Sequence, residues 1–286
     1  MLSGEYHVHL TRGAVPRPGV PAQREQGRAA VLKQYVVDPS VLPWKNGETE
    51  GVTFRGQVML SGDDGGPEAF RFVFDPCIKV YAHMHLTSQF QVLLGGFMDL
   101  PKETMKLRPV AVHYTDHNVS YGPFSVGGDH HVLVLHPRRA GLVTMGNRDA
   151  RRKINLTGRQ ISGMEKDTEW VAIAGHEDTR CKFLLPPMTG PEAMMLECPP
   201  NMTIPVNAPV YGRYEVVLKG SVVMEGRSLG PPGLRYVEGD EQPSPLTTGP
   251  EGATVMFFSF DKDAREGGLA GDELSMLGAE AMAKAI

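Results

Sequence analysis

Two histidines one residue apart are the groups in this chain best placed to do chemistry: His83 and His85, in Ala82-His83-Met84-His85-Leu86. On an extended strand, side chains two apart share a face, so both imidazoles project to one side and Met84 to the other. If that side is a barrel interior, the two rings converge there. Neutral imidazole is a ligand for iron, zinc, copper and nickel. One further oxygen ligand would complete a three-ligand centre with positions open to a substrate or dioxygen. His130 and His131 are adjacent and face opposite ways on a regular strand, so at most one looks inward. Gln91 shares the face of Gln89 and is a further interior polar group. The same spacing at His7 and His9 has no barrel context, and no function is expected of it.

The elements that position these residues read as strands. From Gln34 onward, short runs of β-branched and aromatic residues, such as Val52 to Leu60 and Ala69 to Phe74, alternate with turn stretches such as SGDDGGPE. The content of 33 Gly and 23 Pro fits many turns, hence many short strands. The expectation is an all-β chain in five parts. These are an N-terminal arm (1–30), a first barrel carrying His-x-His (31–145), a linker with Arg151, Arg152 and Lys153 (146–168), a second barrel (169–262) and an amphipathic C-terminal helix (263–286). The two β blocks repeat one another. Residues 80–96 align without a gap on 204–220 at a shift of 124, and 127–136 on 249–258 at a shift of 122. Asn207, Pro209 and Arg213 replace the chemistry-bearing positions in the second block, so no metal site is expected there. Arg213 and Glu215 are expected to be solvated or mutually paired, the alternative being a small anion or carboxylate pocket.

Composition excludes some functions. A net charge of -4 leaves no electrostatic footprint for a phosphate backbone, so no nucleic-acid partner is expected. No run is long enough to span a bilayer, and the expected location is cytoplasmic. Cys77, Cys181 and Cys198 lack the paired spacing of zinc or redox sites and read as idle thiols. Nucleophile-elbow, phosphate-loop and dinucleotide-binding motifs are absent from the sequence.

Residues 83–96, HMHLTSQFQVLLGG, resemble the first motif of the cupin superfamily, in which His-x-His is followed by Glu and then Gly. Gln89 stands at the Glu position and Gly96 at the Gly position. Residues 116–121, DHNVSY, resemble the second motif, with Asn118 in place of its glycine and Tyr121 in place of its histidine. The following Gly122-Pro123-Phe124 is similar to a bacterial group carrying Tyr-Gly-Pro. The resemblance implies two tandem jelly-roll barrels, with a divalent metal, iron foremost and zinc, nickel, manganese or copper as alternatives. His83 and His85 would hold it, with one of His113, His131, Gln89 or Tyr121 completing the set. It also implies an oxygenase-type reaction on a small organic substrate, with Tyr121 donating a proton or hydrogen bond and Gln89 orienting a ligand or water. Gln91, Phe90, Met98 and Phe124 would form the pocket, and a homodimer is expected. The alternatives are an isomerase or lyase, and a metal-free binding or structural module.

Overall fold

A computed structural model describes residues 34–49, 52–76, 78–100, 105–145, 152 and 154–265. The expected N-terminal arm with His7 and His9, and the C-terminal helix beyond a short 3-10 turn at Lys262–Arg265, lie outside the described residues. Up to residue 144 the strands are β1 (Gln34–Val37), β2 (Lys45–Thr49), β3 (Val52–Ser61), β4 (Glu68–Phe74), β5 (Ile78–Val80), β6 (His83–His85), β7 (Gln89–Leu100), β8 (Met105–Leu107), β9 (Ala111–Thr115), β10 (Phe124–His136) and β11 (Leu142–Thr144). Thereafter come β12 (Gln160–Met164), β13 (Val171–Ile173), β14 (His176–Leu185), β15 (Glu192–Cys198), β16 (Thr203–Ile204), β17 (Arg213–Met224), β18 (Arg227–Leu229), β19 (Leu234–Val237) and β20 (Leu246–Ser259). No helix among the described residues is long and apolar enough to cross a membrane.

Most of the strands form two nine-stranded antiparallel sheets of the same order, and β6 pairs with β11 in a third, two-stranded sheet. One runs β12-β9-β7-β10-β4-β3-β2 and the other β1-β19-β17-β20-β15-β14-β13. Each curls into a jelly-roll barrel, so the chain is two tandem barrels, as the repeat implies. The repeat is visible in the backbone. Gly96 and Gly220 both take left-handed φ, 67° and 70°, and a Cβ at either would strike the carbonyl of Gly127 or Gly252. Only glycine fits such a close approach of two strands.

The register also corrects two readings of the sequence. Leu133 lies opposite Val92, and Met256 opposite Val216; residues 133 and 256 differ by 123, one more than the sequence alignment of that half implied. The edge strands are exchanged as well. β1, from the stretch assigned to the first barrel, pairs with β19, and β12, from the stretch read as linker, pairs with β9. β12 was passed over because its residues, QISGM, carry little apolar periodicity of their own; β9 supplies the edge that orders them.

Between the barrels lies one continuous core. Phe90 packs on Phe258 and Phe260 at ring separations of 5.3 and 4.9 Å, and Tyr214 on Tyr236 at 4.6 Å. Aromatic pairs of this kind contribute about 1 kcal/mol each beyond their burial. The Tyr214 hydroxyl reaches the His136 and Glu68 carbonyl oxygens at 2.8 and 3.0 Å, which ties β17 of the second barrel to β4 and β10 of the first. Cys181 and Cys198 are buried and free within the second barrel.

Candidate active site

β6 is three residues long, and alternation decides what each does. Met84 packs outward with Leu86 and Val143, while His83 and His85 line a cavity inside the first barrel, their rings 5.3 Å apart. The turn at residues 116–121 is held in place from several sides. Asn118 takes φ of 58° and its N–H donates to the His85 carbonyl, while the His83 and Tyr121 backbones exchange both hydrogen bonds. Asp116 accepts from the backbone N–H, Nε and Nη2 of Arg159. Tyr121 is thereby fixed beside the histidine pair.

The Tyr121 hydroxyl is where three side chains meet. His83 Nδ1 lies 2.8 Å from the Tyr81 carbonyl, an acceptor only, so Nδ1 carries the ring proton and Nε2 is an acceptor. Tyr121 therefore donates its hydroxyl proton to His83 Nε2, at 2.7 Å. The same oxygen accepts from Gln89 Nε2 at 2.8 Å and from Gln91 Nε2 at 2.9 Å. The hydroxyl's one donor and two acceptor places are all used. Burial holds the phenol above its ordinary pKa and His83 below its own, so both stay neutral.

The surroundings of His85, on the same wall, have another character. The His85 side chain is buried and makes no hydrogen bond to the described residues, and it lines the cavity together with His130, whose Nδ1 is buried without a partner. His136 stands beside it, ring centroids 5.0 Å apart, with Nδ1 at 3.3 Å from the Ser88 carbonyl. Burial, then His136 and His83, holds His85 well below the usual imidazole range, and burial lowers His136 to about 4. Glu68 also lines the cavity; burial raises its carboxyl to about 8, although one oxygen accepts from the Ala140 N–H at 3.0 Å. The cavity volume is about 110 Å³, and most of the wall is aromatic or aliphatic, including Phe54, Phe70, Phe72 and Phe124. The lining holds no Lys or Arg, so the interior is electrically neutral near pH 7.

Not every expected residue arrives here. Gln91, Met98 and Phe124 line the cavity as expected, and Gln89 reaches its edge through Tyr121. Phe90 does not: on β7 it alternates with Gln89 and Gln91 and faces the second barrel. His131 is also displaced. The residues of β10 that line the cavity, Phe124, His130, Val132, Val134 and His136, are all on one parity, so His130 lines it while His131 Nε2 accepts from Arg71 Nε at 2.7 Å. His113 has both nitrogens engaged, with Ser162 Oγ at 2.7 Å and Thr115 Oγ1 at 3.1 Å, and does not line the cavity. His136 and Glu68 are the residues the sequence reading missed, and of the adjacent pair it took His131 as the candidate where His130 lines the cavity. Counting by twos along β10 from His130 leads to His136, and the register places Glu68 directly across from it.

The donor set does not fit the divalent metal expected from the sequence. No three His, Cys, Asp or Glu side chains among the described residues are grouped to hold a metal ion. His83 has both nitrogens committed, and Gln89 turns its amide nitrogen, which cannot ligate, toward Tyr121. Gln89 and Tyr121 also supply no charge.

No family model matches the chain, and no curated protein matches it in sequence. Solved structures do match. A candidate dioxygenase of Nostoc punctiforme is similar at a TM-score of 0.60 and 13% identity, over 84% of this chain and 87% of that one. The coconut allergen cocosin is similar at 0.54 and 12%, over 81% and 86%. HEPD of Streptomyces albus, solved with 2-hydroxyethylphosphonate and Fe(II), is similar at 0.53 and 9%, over 88% and 80%. At these identities the likeness shows the fold, which is that of the cupin proteins. Candidate oxygenase, Fe(II) protein and allergen share it, so function has to be argued from the site.

Proposed function

We propose that the first barrel binds a small, neutral organic molecule and moves a proton on it, as an isomerase or lyase does, with His85 as the group that meets the ligand. The observation that supports this is His85 itself: a buried imidazole without a protein partner, facing an apolar cavity. A ligand hydroxyl or carbonyl would give this ring the hydrogen-bond partner that the protein does not supply. In either tautomer the ring offers one donor and one acceptor, and its depressed pKa keeps it a neutral base. His136 stands next to it, and Glu68, still protonated near neutrality, is the nearby acid. Such acid–base help contributes typically 10²–10⁴-fold.

The wall defines the ligand class. With no cation in the lining, a carboxylate or phosphate would enter unpaired. Engineered apolar cavities of about 150 Å³ take benzene, so a cavity of about 110 Å³ suits a molecule of one ring or less. Titration calorimetry with phenol, benzyl alcohol and benzaldehyde should show binding that weakens roughly 10–100-fold in His85→Ala, the worth of one or two hydrogen bonds. Benzoate should bind more weakly than benzaldehyde. Equal binding to wild type and His85→Ala, or a preference for benzoate, would end this reading.

The oxygenase reading has one observation in its favour, the placement of His83 and His85 on the same cavity wall, and the Fe(II) of HEPD is an analogy for it. It requires Tyr121 to release His83. Iron-dependent oxygen consumption by the purified protein would favour it over proton transfer.

A further inference from the structure

We infer that the Tyr121 hydroxyl occupies, in this barrel, the point at which inward donors would otherwise gather around a metal ion, and that it makes the barrel independent of one. It concerns the same cavity but does not depend on which ligand the cavity takes.

The argument is geometric. His83 comes from β6, Gln89 and Gln91 from β7, and Tyr121 from the turn before β10. Convergence of side chains from separate strands on one buried point is how a metal is held. Here the point is an oxygen atom, with His83 Nε2, Gln89 Nε2 and Gln91 Nε2 all within 2.9 Å of it. Both glutamines orient their nitrogens toward it and leave their Oε1 atoms buried without partners. That arrangement sacrifices two acceptors to saturate one hydroxyl, and it leaves His83 with no free lone pair.

The second barrel closes its equivalent positions in the same manner. At the shift of 124, Gln89 corresponds to Arg213 and Gln91 to Glu215, and across the sheet His113 corresponds to Arg235, since Gln91 pairs with His113 as Glu215 pairs with Arg235. Arg213 and Arg235 both bind Glu215. In both barrels the inward polar residues of this strand bond to neighbouring protein side chains, although in the first the two glutamine Oε1 atoms stay unpartnered. In the first they meet through a neutral hydroxyl, in the second through an ion pair.

Two substitutions should reverse the arrangement. Gln89→Glu supplies an anionic ligand, and Tyr121→His removes the hydroxyl, releases His83 Nε2 and adds an imidazole. Wild type and the Gln89→Glu/Tyr121→His double variant, each confirmed folded by circular dichroism, would be loaded anaerobically with Fe(II) or with Zn(II), passed through a desalting column and assayed by plasma emission. The expected result is no stoichiometric metal on wild type and one ion per chain on the double variant, bound roughly a hundredfold tighter than by wild type. Stoichiometric metal on wild type that disappears in His83→Ala would overturn the inference, and so would a folded double variant that binds no better than wild type. Should the double variant not fold, the wild type still decides the matter by nitrogen-15 NMR. A slowly exchanging hydroxyl proton coupled to the Nε2 of His83, absent in Tyr121→Phe, is expected; its absence from wild type overturns the inference.

Discussion

A Glu215→Ala chain is expected to lose roughly 3–5 kcal/mol of stability, the cost of stranding buried charge by removing one partner. Glu215 and Arg235 are both fully buried. One Glu215 oxygen accepts from Arg235 Nε at 2.8 Å and Nη2 at 2.5 Å, the other from Arg213 Nη2 at 2.7 Å and Nε at 3.2 Å. Without the carboxylate, Arg235 keeps only Glu225 and the Ser244 oxygens, on its Nη1 side. Glu215→Gln retains the shape and one acceptor but not the charge, so its loss should be smaller. The measurement is the urea midpoint at unchanged slope, since a changed slope would mean that the unfolded state had altered. A loss below about 1 kcal/mol for Glu215→Ala would show that the cluster is a solvated pair of the ordinary surface kind. Because Tyr214, the next residue, points the other way and hydrogen-bonds the backbone under Glu68 and His136, this cluster also holds the strand that backs the first barrel's cavity. The second barrel is thus a support for the site in the first.

What the sequence disclosed depended on whether the information was local. The alternation at His83, Met84 and His85 is a property of a single strand, and it places both rings on the cavity wall. The shift of 124 between Gly96 and Gly220 rests on one backbone conformation that glycine alone takes easily, and both residues have it. Errors arose where a second strand decides. GGDHH alone does not tell which of the adjacent pair turns inward: His130 shares the face of Phe124 and His136, and His131 reaches Arg71. Phe90 looks like pocket lining until a second barrel stands behind it. Glu68 and His136 are 68 residues apart in number and adjacent in space, a relation fixed by the β4–β10 register and by no motif. The exchange of β1 and β12 is of the same kind, because an edge strand takes its place from its neighbour.

Stability should peak near pH 6.5 and fall on both sides, for reasons that lie in the cavity wall and the strands beside it. Burial holds His113, His130 and His136 at about 4 each in the folded chain, against 6.5 when exposed. Between those values the unfolded chain binds protons that the folded chain refuses, so stability is lost as the pH falls from about 6.5 toward 4. Glu68 acts in the opposite sense. Its folded carboxyl keeps a proton up to about pH 8, where an exposed one gives it up near 4.5, so its contribution is present at acid pH and lost as the pH rises toward 8. Each such group changes stability by about 1.4 kcal/mol per pH unit where the two states differ by a full proton. Below pH 6.5 these histidines, with His131 also lowered to about 4, outweigh Glu68, and above it Glu68 acts together with Glu192, whose carboxyl burial also raises. Urea unfolding at pH 5, 6.5 and 8 should therefore show a steep acid limb and a shallower alkaline one. Glu68→Gln, which keeps an acceptor for the Ala140 N–H, should flatten the alkaline limb and leave the acid limb in place. An alkaline limb unchanged in Glu68→Gln would mean that Glu68 is ionised in the folded chain, and it would remove the acid from the proposed proton transfer.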